Sequence, residues 1–591
     1  MSMVPSSSSV WLRRLALTFS VVLGLGVTNA EAAIFKVGIG AACTHSTLES
    51  AVAAAAANGP TNDDIYLHTA SLTLSAPVEV FDQAIRIFGG YTDGCTPVPL
   101  YEETVITFAG PGDAFWVHGG GATERHFDLY DISLQLGSGA GRGLKLEDNT
   151  QVVLGATEIG GGQATEGGNV WMSGSVELFL GSSRIVDGEA TTGDGGGIYC
   201  EAGGWIRISD HSNIDNNTAS HSGGGFFLDN CQLDFDGGEA PTDGHHGSIA
   251  GNKASTGQGG GIAAEGGADV TLRGMASGAP AYLVNNEATD PVSGAGGGLS
   301  LEGSGTEAHL WNSTVSGNTT GGPGGGVHVG SGAHFNMEAD FTRCGLGKLC
   351  SILADNRSGG LPGGGLDIKL ANAFVTRTSI YENRSMTSGD GAAIAVRGTG
   401  ATLQLEGVLL YANDPGATGA TEASRILVEA GSFATIAFTT IVEQTVAAGV
   451  GVFQVEPTAT LEFFSSIVNA SKTFEAPPPP ANIHCIVTKE IASFPGGASV
   501  VTVVPDPTLI FRLSTPTDFA LAHFSPAGDY CDSSHYVPFR EDIDGFARGF
   551  DDPALGNIIG PFDLGADEWQ PEVFGDGFEG AGFGRWSSTL P

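Results

Sequence analysis

The central part of the chain repeats a short pattern of glycine, apolar and polar positions. Glycine triplets begin at Gly195, Gly223, Gly259, Gly296, Gly324 and Gly363, and a variant, GAAI, begins at Gly391. The spacings are 28, 36, 37, 28, 39 and 28 residues, a period that marks a repeat architecture. An apolar residue follows each full triplet: Ile198, Phe226, Ile262, Leu299, Val327 and Leu366. Ahead of each triplet from Gly223 on stands a second mark, an apolar residue three places before an asparagine. The pairs are Ile214/Asn217, Ile249/Asn252, Leu283/Asn286, Val315/Asn318, Leu353/Asn356 and Ile380/Asn383.

The shortest unit, residues 195–222, divides into GGIYCEA, WIRISD and SNIDNN between small or polar turns. Alternation within WIRIS has the period of a strand. The pattern therefore predicts three strands per coil, each pairing with its counterparts in the coils above and below, around one apolar column. The expected fold is all-β: a right-handed parallel β-helix, a solenoid of the pectin-lyase-like kind, with a short N-terminal capping helix. Glycine admits positive-φ turns and close backbone approach. The six asparagines are expected to tolerate left-handed corners and to stack into an amide ladder. A glycan-binding row is the functional alternative for them. The three long units carry extra residues near 230–247, 273–281 and 338–350, all at one register, so these inserts are expected to form one ridge.

Near the amino end, IFKVGIGAACTHSTLESAVAAAAANGPTNDDIYLHT reads as strand, helix, strand. Ser46 and Glu49 fit a capping box, and the helix should end near Asn58-Gly59 and cover the open end of the solenoid. Apolar runs without triplets continue to residue 470, and the prolines at 477–480 mark a loop or linker. The segments expected are a signal at 1–32, a cap and first strands at 33–100, coils at 101–470, a closing segment at 471–570 and a tail at 571–591.

The closing segment carries Asp506-Pro507, Ser525-Pro526-Ala527, Asp542-Ile543-Asp544-Gly545 and Asp563-Leu564-Gly565-Ala566-Asp567-Glu568. It resembles the end of secreted bacterial parallel β-helix repeat proteins of the choice-of-anchor type. VGIGAACTHSTLESAV is similar to the start of that group and of pectate-lyase-like solenoids. The GGGI and IxxN repeats resemble the GGAI and FxxN repeats of polymorphic outer-membrane proteins. Those proteins end in a β-barrel, whereas this chain runs only about twenty residues past Trp569, too few for eight strands of roughly ten residues. VFGDGFEGAGFGRWSS is similar to the tails of some exported gammaproteobacterial proteins. That likeness implies a sorting or surface-association element, the alternative being an aromatic tail packed on the last coil.

Composition narrows the function classes. Apolar residues make up 41% and Gly 92 positions, which suits many short strands and argues against disorder. A formal charge of −40 excludes a nucleic-acid surface built on clustered lysine and arginine. Arg13 and Arg14, the apolar run 15–27 and Ala30-Glu31-Ala32 form a secretory signal whose removal leaves −41. No later stretch is long and apolar enough to span a bilayer. The eight cysteines are even in number and lack CxxC spacing, so disulfides are expected. Proximity along the chain favours Cys43–Cys95, Cys200–Cys231, Cys344–Cys350 and Cys485–Cys531, although spacing alone does not settle connectivity.

Catalysis lacks a motif. Gly244-His245-His246-Gly247 superficially resembles the G-H-G segment of polygalacturonase-like hydrolases, but their N-T-D, D-D and R-I-K companions are missing. His245, His246, Asp234 and Asp236 are the weak catalytic candidates. Asp194, Asp210 and Asp215 fall at turns or strand ends. Lys145, Arg207, Lys369 and Arg397 read as scattered among coils without paired carboxylates at matching register. No metal set is recognised: the acidic balance leaves Ca2+ open as a ligand, but the calcium repeats are absent. The expectation is an exported or surface-displayed solenoid without catalysis, adhesin-like or envelope-associated, with a polysaccharide or cell-envelope component as partner. The rival is a polysaccharide lyase or glycoside hydrolase. The oligomeric state is open.

Overall fold

The computed structural model describes residues 32–59, 61–96, 103–119, 125–209, 211–237, 247–274, 279–344, 350–359, 361–385, 391–413, 425–443, 450–478, 482–496, 499–512, 519–537, 541–549, 551 and 557–568. The expected signal, His245, His246, Asp210, Trp569 and the tail lie outside them.

The chain winds into a parallel β-helix. Among the described residues the strands pair in parallel and collect into sheets of 30, 13 and 8 members, with isolated antiparallel bridges only in the closing segment. One coil shows the plan: Ile198–Glu201 lies in the 13-stranded sheet, Trp205–Ser209 and Asn213–Asp215 in the 30-stranded sheet, and Thr218–Ala219 in the 8-stranded sheet. Among the described residues, the eight coils that reach the 8-stranded sheet have four strands where three were expected, and coils nearer the two ends keep three. The fourth is only two residues long, too short to leave an alternation in the sequence. Register is strict: Ile198, Phe226, Ile262, Leu299, Val327, Leu366 and Ile394 pair in succession, all 0% exposed. Burying such side chains contributes about 1.5–3 kcal/mol each.

The triplets supply close approach. A Cβ on Gly260, the middle residue of its triplet, would lie 2.4 Å from the carbonyl oxygen of Gly297 in the next coil. The asparagines form the ladder, each fully buried. Asn252 N–H and Nδ2 both donate to Asn286 Oδ1 (2.9 and 3.0 Å), while Asn286 Nδ2 donates to Ile249 O and to Asn318 Oδ1 (2.9 and 3.0 Å). The same pattern continues upward. Asn318 Nδ2 donates to Asn356 Oδ1, and Asn356 Nδ2 donates to Val315 O and to Asn383 Oδ1 (2.9 and 3.0 Å).

The expectation that these six asparagines also occupy the left-handed corners is corrected. Neither Asn217, Asn252, Asn286 and Asn318 nor Asn356 and Asn383 has a positive φ; that corner falls one residue earlier, at Asn216, Gly251, Asn285, Gly317, Asp355 and Glu382. The ladder residue keeps an ordinary φ because its side chain must point inward, where the corner residue before it faces outward.

The ladder also extends beyond the six. Asn413 accepts from Asn383 N and donates to Ile380 O, and its own N–H donates to Glu443. At the other end the amide comes from an unexpected place. In the coil before Gly195 the triplet reads Gly167-Gly168-Asn169, and Gly188 stands where the ladder asparagine would be. Asn169 Oδ1 accepts from Gly162 N and Asn169 Nδ2 donates to Asn217 Oδ1. Elsewhere the third triplet glycine makes room for the amide: a Cβ on Gly197 would lie 3.0 Å from Asn217 Cγ, and one on Gly188 would lie 2.5 Å from Asn169 Nδ2. Glycine and asparagine have exchanged places across the coil.

At the amino end the helix Leu48–Asn58 packs on the first strands through Leu48, Ala51, Val52 and Ala55. Its N-cap is Thr47, not Ser46. Glu49 reaches instead to Ser75 N and Oγ, both at 2.9 Å. The helix ends at Gly59, φ 95°. The long units open at one corner, where Gly237 N donates to Arg273 O, Gly274 N to Trp311 O and Asn312 N to Glu338 O. The first insert begins at Gly237 rather than at 230, because Gln232–Asp236 is a full strand. The middles of all three inserts lie outside the described residues.

Cys43–Cys95, Cys200–Cys231 and Cys485–Cys531 are disulfide-bonded, as is Cys350; the side chain of Cys344 lies outside the described residues. The closing segment first continues the stack, Asn482–Thr488 pairing in parallel with Thr460–Ala470 and Ser499–Val503 with Asn482–Thr488, and from residue 519 it leaves the coils. It lies along the side of the last coils, where Gly565 N donates to Ser465 O, Ala566 N to Thr440 Oγ1, and Leu521, Tyr530 and Leu564 pack with Val442, Ile467 and Val487.

Candidate functional site

The second strand of each coil turns alternate residues outward, so register builds columns across the surface. One column runs Trp205, Gln232, Asp269, Glu307, His334, Asn372, Thr402, Phe433; its neighbour runs Arg207, Asp234, Thr271, His309, Asn336, Phe374, Gln404, Thr435. A groove of about 600 Å³ follows these columns over five coils, from Glu307 to Phe433. None of its described lining residues is a lysine or arginine.

Amides organise the groove. Asn336 Nδ2 donates to His309 Nδ1 (3.1 Å), and Asn372 Nδ2 donates to His334 Nδ1 (3.4 Å). An amide nitrogen only donates, so each ring accepts at Nδ1 in these contacts. Thr402 Oγ1 donates to Asn372 Oδ1. Phe374 and Phe433 stand partly exposed between these polar groups. The far end is fixed by the closing segment: Gln404 Nε2 donates to Tyr536 Oη (2.8 Å), which donates to Glu406 Oε2 (2.6 Å), and the tyrosine ring stacks on Phe464. Burial, reinforced by Glu406, raises the Tyr536 pKa, so the phenol stays protonated and donating.

Toward the amino end the same columns become charged, and here two of the weak candidates appear. Asp234 accepts from Trp205 Nε1 (2.9 Å) and lies 3.8 Å from Arg273; Asp236 pairs in register with Arg273. Burial raises the Asp269 pKa, and the charge of Glu307 adds to the rise. His309 Nε2 lies 3.7 Å from Glu307. Carboxylates and a guanidinium therefore do share a face, without forming the groove itself. Asp194 is engaged at a turn, accepting from Ser222 N and pairing with His221 Nδ1, both at 2.7 Å.

The 13-stranded sheet holds a cluster that sequence reading missed. His328 Nδ1 meets Asp367 Oδ2 at 2.7 Å and its Nε2 meets Glu302 at 3.2 Å, while Arg397 grips Asp367 through two nitrogens at 2.5 and 2.6 Å. Arg397 thus has a carboxylate partner, correcting its reading as isolated, although Asp367 lies two places from its register partner Lys369; Lys145 likewise meets Glu147 of its own strand at 3.1 Å. Burial alone would lower the His328 pKa, but hydrogen bonds to Asp367 and Glu302 outweigh it and push it up to about 9. Burial would raise Asp367, and the bonds from His328 and Arg397 hold it below its usual value instead. With both imidazole nitrogens and the Asp367 carboxylate engaged and the Asp367 side chain 0% exposed, the cluster is an internal ion network. A signal existed: aligned on their triplets, His328 and Asp367 both occupy the second place after the third glycine.

Among the described residues no group of three His, Cys, Asp or Glu side chains is arranged to hold a metal ion, and no helix is long and apolar enough to cross a membrane. No family model and no curated protein matches the chain.

Proposed function

We propose that this protein is an exported, envelope-associated β-helix that holds a polysaccharide along its groove without cleaving it, an adhesin-like role. The observation that carries the reading is the groove itself: an open channel parallel to the coil axis, lined by amides, hydroxyls, imidazoles and phenyl rings. Such groups bind hydroxyl-rich chains by paired hydrogen bonds and ring stacking. Export is supported by the signal pattern at 1–32 and by disulfides, which persist in oxidising compartments. The likeness of the repeats and closing segment to secreted bacterial β-helix proteins points the same way. Locating the protein in fractionated cells, with and without residues 573–591, tests the association. Recovery in the cytoplasm would refute export.

A second reading keeps the rival alive: Asp234, Asp269 and Arg273 on one face, with the Asp269 pKa raised by burial, are parts that a glycoside hydrolase or lyase uses. Release of reducing ends from a bound polymer, lost in Asp269→Asn, would favour the enzyme over the adhesin.

A further inference from the structure

We infer that the ligand of the groove is a neutral polysaccharide, laid along the axis with one sugar unit per coil, and that uronate and sulfated chains are excluded; this rests on the glycan-binding reading above. Three observations carry it. First, successive strands of a sheet lie about 4.8 Å apart, close to the length of one pyranose in an extended chain. A groove crossing five coils therefore offers a repeating ladder of sites matched to the polymer's own repeat. Second, the polar groups recur at that interval. Asn336, Asn372 and Gln404 present amides, each able to donate and accept, which suits vicinal hydroxyls. Phe374 sits among them as an apolar platform for the C–H face of a ring.

The third observation is electrostatic. A chain bearing a carboxylate or sulfate on each unit needs cations along its path, and the described lining offers none. The lining imidazole, His334, has its Nδ1 occupied by the Asn372 amide. Glu307 stands at one end, Glu462 accepts from Thr435 at the other (3.3 Å), and the whole chain carries −40. A polyanion would meet repulsion at every coil; a neutral chain meets none.

The test uses the mature chain in affinity electrophoresis and calorimetry against three panels: neutral β-glucans, xylans and mannans; polygalacturonate and alginate; and a sulfated galactan. Binding to a neutral polymer, little changed between low and high salt, with about a tenfold loss in Phe374→Ala and in Asn372→Ala, is the expected result. Thermal unfolding of each variant checks that it remains folded, and Gln232→Ala, outside the groove, should bind as the parent does. Preferential binding of an anionic polymer that still depends on Phe374 and Asn372 overturns the neutral class but leaves the glycan groove standing. Failure of the folded protein to bind any panel member overturns both. Neutral-polymer binding indifferent to both substitutions overturns the placement of the ligand.

Discussion

Replacing Asn286 by alanine tests the ladder at its centre. The wild-type amide makes four buried hydrogen bonds: it accepts from Asn252 N and Nδ2 and donates to Ile249 O and Asn318 Oδ1. Alanine removes all four. Asn252 N–H then faces a dry interior without its acceptor, which costs about 1–3 kcal/mol, and the other three bonds are each worth about 0.5–1.5 kcal/mol. The sum is about 5 kcal/mol, a large share of the 5–15 kcal/mol typical of a folded protein. The neighbouring Asn285 is the internal control. It is exposed and left-handed at φ 57°, so alanine there loses only asparagine's tolerance of that corner, about 1 kcal/mol. Urea unfolding of the two variants gives the difference directly. Amide exchange should accelerate at Asn252 and in the flanking coils, because stability in a solenoid is a sum over neighbours. Equal costs for the two variants would show that the amides are spectators and that the coils stack without them.

Four further outcomes follow from the buried polar groups. Asp367→Asn should cost about 3–5 kcal/mol, as breaking a buried ion pair does, measured by urea unfolding at pH 7. Because His328 is raised from 6.5 to about 9, its contribution is complete below pH 6.5 and is lost as pH rises through 9, so His328→Gln should flatten the alkaline limb of the stability profile. Glu443, at the ladder's end against Arg425, is driven by burial up to about 7; its ionised form is the disfavoured one, so stability should rise as pH falls from 7 towards the ordinary carboxyl value of 4.5, by an amount on the order of 3 kcal/mol, and Glu443→Gln should abolish that rise. Asn169→Gly and Gly188→Asn should each destabilise, whereas the double variant should recover most of the loss, giving a coupling energy of roughly 2–3 kcal/mol in a double-mutant cycle.

The coils were legible because their demands repeat. A glycine on which a Cβ would fall 2.4 Å from a neighbouring carbonyl oxygen, and an amide that must bond the amides above and below, admit few substitutes, so the triplets and IxxN pairs recur unchanged. The corners were misplaced by one residue because asparagine suits both jobs: at Asp355-Asn356 the left-handed turn belongs to the aspartate and the ladder to the amide. Where one coil meets the same demand differently, the pattern breaks: the Asn169/Gly188 exchange hid a coil that the structure shows in full register. The helix was legible but its cap was not, since Ser46 and Thr47 both offer a hydroxyl and only the fold decides that Glu49 is needed at Ser75. The groove could not be read at all. Its walls come from coils 27 to 38 residues apart, and Tyr536 reaches Gln404 across 132 residues.

That contrast bears on where function resides. A column that serves stacking holds one residue type, because every coil presents the same partners; the ladder does so from Asn217 to Asn413. The outward column from Arg207 to Glu462 behaves oppositely: Arg207, Asp234, Thr271, His309, Asn336, Phe374, Gln404, Thr435 and Glu462 never repeat between neighbours. Stacking alone would reward like on like, as the amides demonstrate, so the variation there is free of the fold's requirements. From Asn336 to Thr435 these varying side chains line the groove. Moving one such residue by a coil, for example exchanging Asn336 and Phe374, which spares the Gln404–Tyr536 bond, should therefore leave unfolding nearly unchanged and alter binding. A stability loss as large as that of Asn286→Ala would place this column with the scaffold instead.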